Sequence, residues 1–277
     1  MSASRGGDST GEDWMTGGGY LLDNRAVQAG QRFGALAALF NPVTFRHMEA
    51  LGVGEGWRCW EVGAGGPSVP RWLAERVGPS GHVLATDLDV SWIGDGPGAG
   101  VEVRRHDVVE DDLPAGGFDL VHARLVLVHV PARDEALRRM VSSLRPGGWL
   151  LIEDFDMELQ PLASIEAYRP EQHLANKLRV GFRALLRERG ADPTFGRKLP
   201  RVLGEQGLVG VSADGYLPVD LPAMGVLDAA NITQVREGLV AGGHVTDEEI
   251  ERHLAACDGG LGLASPILIS AWGRRSP

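Results

Sequence analysis

The sequence predicts an α/β fold: a seven-stranded, mostly parallel sheet with an antiparallel last strand, covered by a helical lid. Three observations predict it. Between Trp57 and Asp156 short apolar runs alternate with amphipathic helical stretches, the β-α-β rhythm of a doubly wound sheet. A glycine-rich turn, EVGAGG, follows the first of those runs. Two late stretches, LVGVSADGYLPV and SPILISAWG, suggest a terminal hairpin.

Residues 1–19, MSASRGGDSTGEDWMTGGG, are polar and glycine-rich, too poor in apolar surface to offset their ordering entropy, and are expected to form a disordered tail. Residues 20–53 then read as two helices. AVQAGQRFGALAALF carries apolar residues at mixed three and four spacing, and Asn41-Pro42 offers an N-cap and a rigid first position for VTFRHMEALG, which Gly52 closes. WRCWEVGA is the first strand. SVPRWLAERVG is the next helix, with Pro67 and Pro70 in an opening turn where a missing N–H costs little. GHVLATDLD and VEVRRHDV are strands two and three, and FDLVHARLVLVHV contains the fourth. DEALRRMVSSLRPGG is a helix stopped by Pro and Gly before the fifth strand, WLLIEDFD.

Beyond Asp156 the rhythm breaks. In RPEQHLANKLRVGFRALLRERG, Leu174, Leu178, Phe182, Leu185 and Leu186 form one helical stripe, read as a lid helix. RKLPRVLGEQGLVGVSADGYLPV supplies a helix and the sixth strand, TDEEIERHLAACDGG a capped helix, and SPILISAWGRR the last strand. The expectation is one domain over residues 20–277, with lid segments at about 157–195 and 220–262.

The formal net charge of -10 repels phosphate backbones and anionic membranes, and no Lys/Arg cluster offsets it, so neither nucleic acid nor membrane is expected as a partner. Cys59 and Cys257 are too few for a disulfide framework, and neither is read as having a second Cys or a His at metal-ligand spacing, so no metal is expected. With no basic-then-apolar leader and no run of 18 apolar residues, a cytoplasmic setting is expected.

A dinucleotide turn needs G-x-G-x-x-G; Gly63 and Gly65 fit, but Ser68 takes the third place. Asp87 ends the second strand, where a carboxylate can accept hydrogen bonds from both hydroxyls of a ribose, a feature that nicotinamide and adenosyl cofactors share. Glu61 before the glycines, Asp107 at the third strand's end and the terminal hairpin favour S-adenosylmethionine. That cofactor has no phosphates, and its sulfonium and ammonium suit carboxylates that would repel a pyrophosphate. Ser68 and the absence of a nearby Tyr-x-x-x-Lys pair weigh against a nicotinamide oxidoreductase.

In order, EVGAGG, ATDLD, HDVVEDDLP, FDLVHARLVLVHVP, LRPGGWLLIED and SAWGRR resemble the class I S-adenosylmethionine-dependent methyltransferases, of a small-molecule, actinobacterial type, over roughly residues 20–277. The resemblance implies a Rossmann-like sheet and cofactor contacts from Glu61, Gly63, Ala64, Gly65, Asp87, Leu88, Asp107, Val108 and Arg124. It puts the glycine turn on the methionine part, Asp87 on the ribose and Asp107 on the adenine amino group. One departure is Pro67, where many relatives have glycine. The activity it implies is methyl transfer to the oxygen, nitrogen or carbon of a small-molecule acceptor. The alternative is a protein that binds the cofactor and catalyses or scaffolds another rearrangement.

A general base would come from near a strand end or the lid: His129 and Asp154 are the catalytic candidates, ahead of Glu153, His173 and His122, the last read as core. Tyr20, Arg32, Phe33 and Phe182, with Arg183, are candidate walls of the acceptor pocket. The apolar N-terminal helices are candidates for a homodimer contact.

Overall fold

The computed structural model describes residues 21–22, 28–94, 98 and 100–277. The expected disordered tail and Tyr20 lie outside the described residues.

The elements are α1 (Gln28–Ala50), β1 (Arg58–Val62), α2 (Ser68–Val77), β2 (His82–Asp87), β3 (Val101–Arg105), β4 (Phe118–Arg124), α3 (Arg133–Ser143), β5 (Leu144–Asp156), α4 (Pro170–Glu188), α5 (Phe195–Glu205), β6 (Val209–Tyr216), α6 (Pro222–Ala241), α7 (Asp247–Asp258) and β7 (Ile267–Arg274). The strands form one seven-stranded sheet in the order β3-β2-β1-β4-β5-β7-β6. β1 to β5 pair in parallel, whereas β7 runs antiparallel to both β5 and β6.

Because strand side chains alternate between faces, the sheet builds two different cores. Cys59, Val83, Leu120 and Leu151 pack with α2 and the C-terminal part of α1, while Trp60, Leu84, Val121, Leu150 and Ile152 pack with α3 and α5. A third cluster lies among α4, α6 and α7, and a fourth joins α1 to α6. These last two roof the carboxyl ends of the parallel strands, the side where open α/β sheets bind ligands.

Two expectations need correction. The N-terminal segment is not two helices but one, α1, with Pro42 inside it. The chain accepts the lost N–H because Ala35, Leu39, Phe40, Val43, His47 and Met48 make one buried stripe across that position, and tertiary burial outweighs a local break. That stripe is covered within the chain, by the sheet and α6. The Arg145-Pro146-Gly147-Gly148 stretch, read as a helix stop, is already strand: β5 starts at Leu144 and shifts register against β4 between Phe118 and Leu120. Gly148 allows this, since a Cβ there would lie 2.7 Å from the carbonyl oxygen of Phe118.

Candidate active site

The strand tips and the helices above them enclose a cavity of about 840 Å³. Its floor begins at the turn after β1. Gly63 and Gly65 both have positive φ, 65° and 60°, which a residue with a Cβ adopts only with strain. A Cβ on Gly63 would also meet Val126 Cγ2 at 2.3 Å, and one on Gly65 would meet Phe33 Cε1 at 2.6 Å. The glycines therefore bring the turn close to α1 and to the loop after β4. Pro67 sits at the N-cap of α2 with φ −80° and ψ −9°, already helical, so its ring fits without a donor.

Asp87 at the tip of β2 ties this turn down. Its Oδ2 accepts the Gly65 amide at 2.8 Å, and its Oδ1 accepts the Asp89 amide at 3.1 Å. Burial raises its pKa against the backbone donors of Asp89, Gly65 and Leu88. A carboxylate has about four acceptor positions, so these amides do not saturate it. Asp107, just beyond β3, accepts the amides of Val109 and Glu110 on Oδ1 at 2.8 and 3.3 Å, which fixes its carboxylate at the cavity edge. Glu61, Asp87 and Asp107 thus converge on one cavity, which Ala64, Leu88 and Val108 also line.

Glu61 is held from below by an ionic chain. His122 is fully buried on β4, with Nδ1 2.6 Å from Glu61 Oε2 and Nε2 3.3 Å from Glu153 Oε2. Glu153 is also bonded by Thr44, by Ser270 at 2.6 Å and by His47 at 3.3 Å; His47 in turn reaches Asp214 at 3.1 Å. Burial alone would lower the His122 pKa, but the two glutamates push it up to about 9, so it is an imidazolium at neutral pH. Burial would raise Glu153, but the hydrogen bonds from His122 and His47 hold it well below the usual carboxylate range. The residue read as core is buried, as expected, but charged.

Arg124 closes β4 and donates to Thr44 Oγ1 at 2.8 Å and Asn41 Oδ1 at 2.9 Å, pinning α1 over the site. Asn41, read as a helix cap, is thus an acceptor inside a continuous helix. The next residue, Leu125, has φ 58°, a strained backbone that lines the cavity.

The acceptor-side candidates divide. Arg32, Phe33, Phe182 and His129 line the cavity. Burial, with Arg32 and Arg133 adding to it, lowers the His129 pKa to about 3, so its ring is neutral and weakly basic. Asp154 is not on the cavity wall. Strand alternation turns it to the α3–α5 face, under the amides of Leu127 and Val128, where neither carboxyl oxygen closes a hydrogen bond and burial holds the acid well above its normal pKa. Glu153 belongs to the buried chain, and His173 is exposed on α4.

Sequence reasoning missed the cavity's helical wall. Met224, Leu227, Asp228, Asn231 and Ile232 form one stripe of α6 facing Arg179 of α4. The signal was the three-and-four spacing itself, blurred because α6 is apolar on most sides. The reading of Cys257 also needs correction: His253 precedes it by one turn of α7, and with Asp228 they bring one ligand-type atom each within 4.8 Å of the others. Burial pushes the Cys257 thiol up to about 12, and Arg179 lies 3.5 Å from Asp228 Oδ1, so this is a hydrogen-bonded cluster with its own cation beside it.

A model of the methyltransferase-domain family matches residues 30–194, more than half of the chain. The chain belongs to that family. The matched stretch covers all five parallel strands, β1 to β5, and reaches through α4, so the glycine turn, Asp87 and Asp107 all lie in the family's domain. A methyltransferase of Strobilurus tenacellus is 30% identical over 155 residues, 54% of this chain and 52% of the relative. A ubiquinone/menaquinone biosynthesis C-methyltransferase of Pseudomonas paraeruginosa is 30% identical over 125 residues, 42% of this chain and 49% of the relative. The chain therefore spans about half the length of the curated relatives it matches. Among solved structures, the phosphoethanolamine N-methyltransferase 2 of Haemonchus contortus, bound to phosphomonomethylethanolamine and S-adenosylhomocysteine, superposes with a TM-score of 0.57 at 13% identity, covering 91% of this chain and 58% of that one. That likeness shows the methyltransferase fold. Among the described residues no helix is long and apolar enough to cross a membrane.

Proposed function

We propose that the protein transfers a methyl group from S-adenosylmethionine to a small-molecule acceptor. The observation that carries this reading is the convergence of Glu61, Asp87 and Asp107 on the cavity beside the Gly63–Gly65 turn, in a chain of the methyltransferase family. Bound S-adenosylmethionine supplies an electrophilic methyl group. Of the chain's own residues, Asp87 offers its remaining acceptor positions to the ribose hydroxyls, and Asp107 its outer oxygen to the adenine amine. Glu61, oriented by His122, sits where the cofactor's cationic end belongs.

Transfer between two bound groups needs alignment and a dry site more than a covalent partner. The walls from α1, α4 and α6 supply both. His129 is the one titratable candidate facing the chamber that is neutral at physiological pH, and it accepts a hydrogen bond from an acceptor hydroxyl or amine without competing strongly for its proton. Calorimetric titration with S-adenosylhomocysteine tests the assignment. Wild type is expected to bind, and Asp87→Ala to bind about 1–3 kcal/mol more weakly, the value of a charge-assisted hydrogen bond. Equal affinities would remove Asp87 from the ribose, and no binding by wild type would remove the function.

A further inference from the structure

The lining of the cavity divides by chemistry. Where the parallel strands end it is charged, with Glu61, Asp87, Asp107 and Arg124 among the groups there. This is the part assigned above to the cofactor. Beyond it the lining is apolar. Phe33 and Leu36 of α1, Leu125 and Val126 after β4, and Phe155 of β5 line the cavity and are only partly buried, so a ligand can cover hydrocarbon that the fold leaves open. At about 840 Å³ the cavity is near the upper end of the roughly 300–1,000 Å³ of small-molecule sites, which leaves room for a ring system beside the cofactor.

The ionic groups around the apolar part are engaged within the chain. Of Glu153, Asp154, Phe155 and Asp156, only Phe155 reaches the cavity, and the three acids are fully buried. Glu153 belongs to the His122 chain, Asp154 lies under the Leu127 and Val128 amides, and Asp156 accepts from Arg197 at 2.6 Å. Arg32 and Arg179 border the cavity but are only 1% and 6% exposed. Arg32 donates to Gln234 at 3.0 Å and lies over the Phe33 ring. Arg179 donates to the Ala264 carbonyl at 3.1 Å and lies 3.5 Å from Asp228, which is also bonded to His253 at 2.7 Å. A charged acceptor seated here would set its charge against hydrocarbon, beside ions that already have partners, and burying a charge is costly unless it is paired.

From this arrangement we infer that the methyl acceptor is a neutral, ring-bearing, largely apolar molecule, and that the chamber selects against acceptors carrying a carboxylate, phosphate or ammonium group. The inference rests on the methyltransferase reading for the identity of the ligand beside it. Phe33 and Phe155 offer offset or edge-on contacts to the acceptor's ring. As the acceptor's oxygen, nitrogen or carbon bonds the methyl group, the sulfonium–methyl bond breaks with its electron pair left on sulfur, and the acceptor's proton is released to water. Selection thus comes from what the wall withholds, a counterion, as much as from the hydrocarbon it presents.

Titrations of the intact protein at neutral pH with 2-naphthol, 2-naphthoate and 2-naphthylmethylammonium, three probes of one ring system and different charge, test this with and without saturating S-adenosylhomocysteine. The neutral probe is expected to bind at least tenfold more tightly than either ion. Leu36→Glu sets a carboxylate in the apolar part and is expected to turn the preference toward the ammonium, with S-adenosylhomocysteine binding reporting that the variant is folded. The milder Leu36→Gln, expected to weaken 2-naphthol at least fivefold, carries the test where Leu36→Glu does not fold. An ion binding within tenfold of 2-naphthol, no binding of 2-naphthol, or probe affinities that the Leu36 variant leaves unchanged would each overturn the inference. Failure of the cofactor reading shows separately, as absence of S-adenosylhomocysteine binding to wild type.

Discussion

At Gly65 two constraints coincide, a left-handed backbone and an aromatic edge where a methyl group would go. Gly65→Ala is therefore expected to lower S-adenosylhomocysteine affinity at least tenfold, because both the turn and Phe33 must shift. Adding Phe33→Ala relieves the collision but not the positive φ, whose cost is about 1 kcal/mol, so the double variant is expected to recover only part of the loss. Full affinity in the single variant would show that the turn does not shape the site. The glycine turn, Asp87 and Asp107 were legible in the sequence because each sits at a fixed offset from a strand end. Asp154 was misplaced for the complementary reason. On β5 the parity of a residue decides its face, and the sequence EDFD gives no sign of which acids point to α1 and which to α5. Arg179 and Asp228 were illegible because their meaning depends on two helices meeting, which no local pattern encodes.

Helix α1 fastens the N-terminal side of the roof to the sheet. Phe40 is fully buried and meets Phe155 and Tyr216 edge-on at 5.4 and 6.3 Å, while Arg124 and Glu153 hold the helix through Thr44 one turn later. Phe40→Ala is expected to cost about 3–5 kcal/mol in urea denaturation, the range for truncating a buried aromatic, and a loss below 1 kcal/mol would mean that α1 is not docked there. Near its start, α1 receives Trp92 against Gly30, where a Cβ would lie 2.6 Å from the indole. The sequence showed this segment to be helical but broke it at Pro42, since proline is a local signal and the burial of Phe40, Val43 and His47 on one face is not. The opposite case is α7. Its Thr246–Glu249 capping box is local, and sequence and structure agree on it.

The buried ion chain ties the stability of the whole molecule to pH. His122, raised to about 9, contributes stability that is complete below its unfolded value near 6.5 and is lost as pH rises through about 9. Glu153, lowered, contributes above its unfolded value near 4.3 and loses that contribution as pH falls below it. Maximum thermal stability is thus expected between about pH 4.5 and 6.5, with an alkaline decline on the order of a few kcal/mol that His122→Gln flattens. A melting temperature constant from pH 6.5 to 9.5 in wild type would contradict the charge assigned to His122. The sheet order has a consequence of another kind. Because β7 lies between β5 and β6, β6 leaves translation with no neighbour to pair with, and α4 to α7 hang from a sheet that is still open. Until the later strand arrives, both borders of β6 are raw and prone to join another molecule. When it arrives, β7 pairs with β5 on one side and β6 on the other, so a single strand joins β6 to the rest of the sheet.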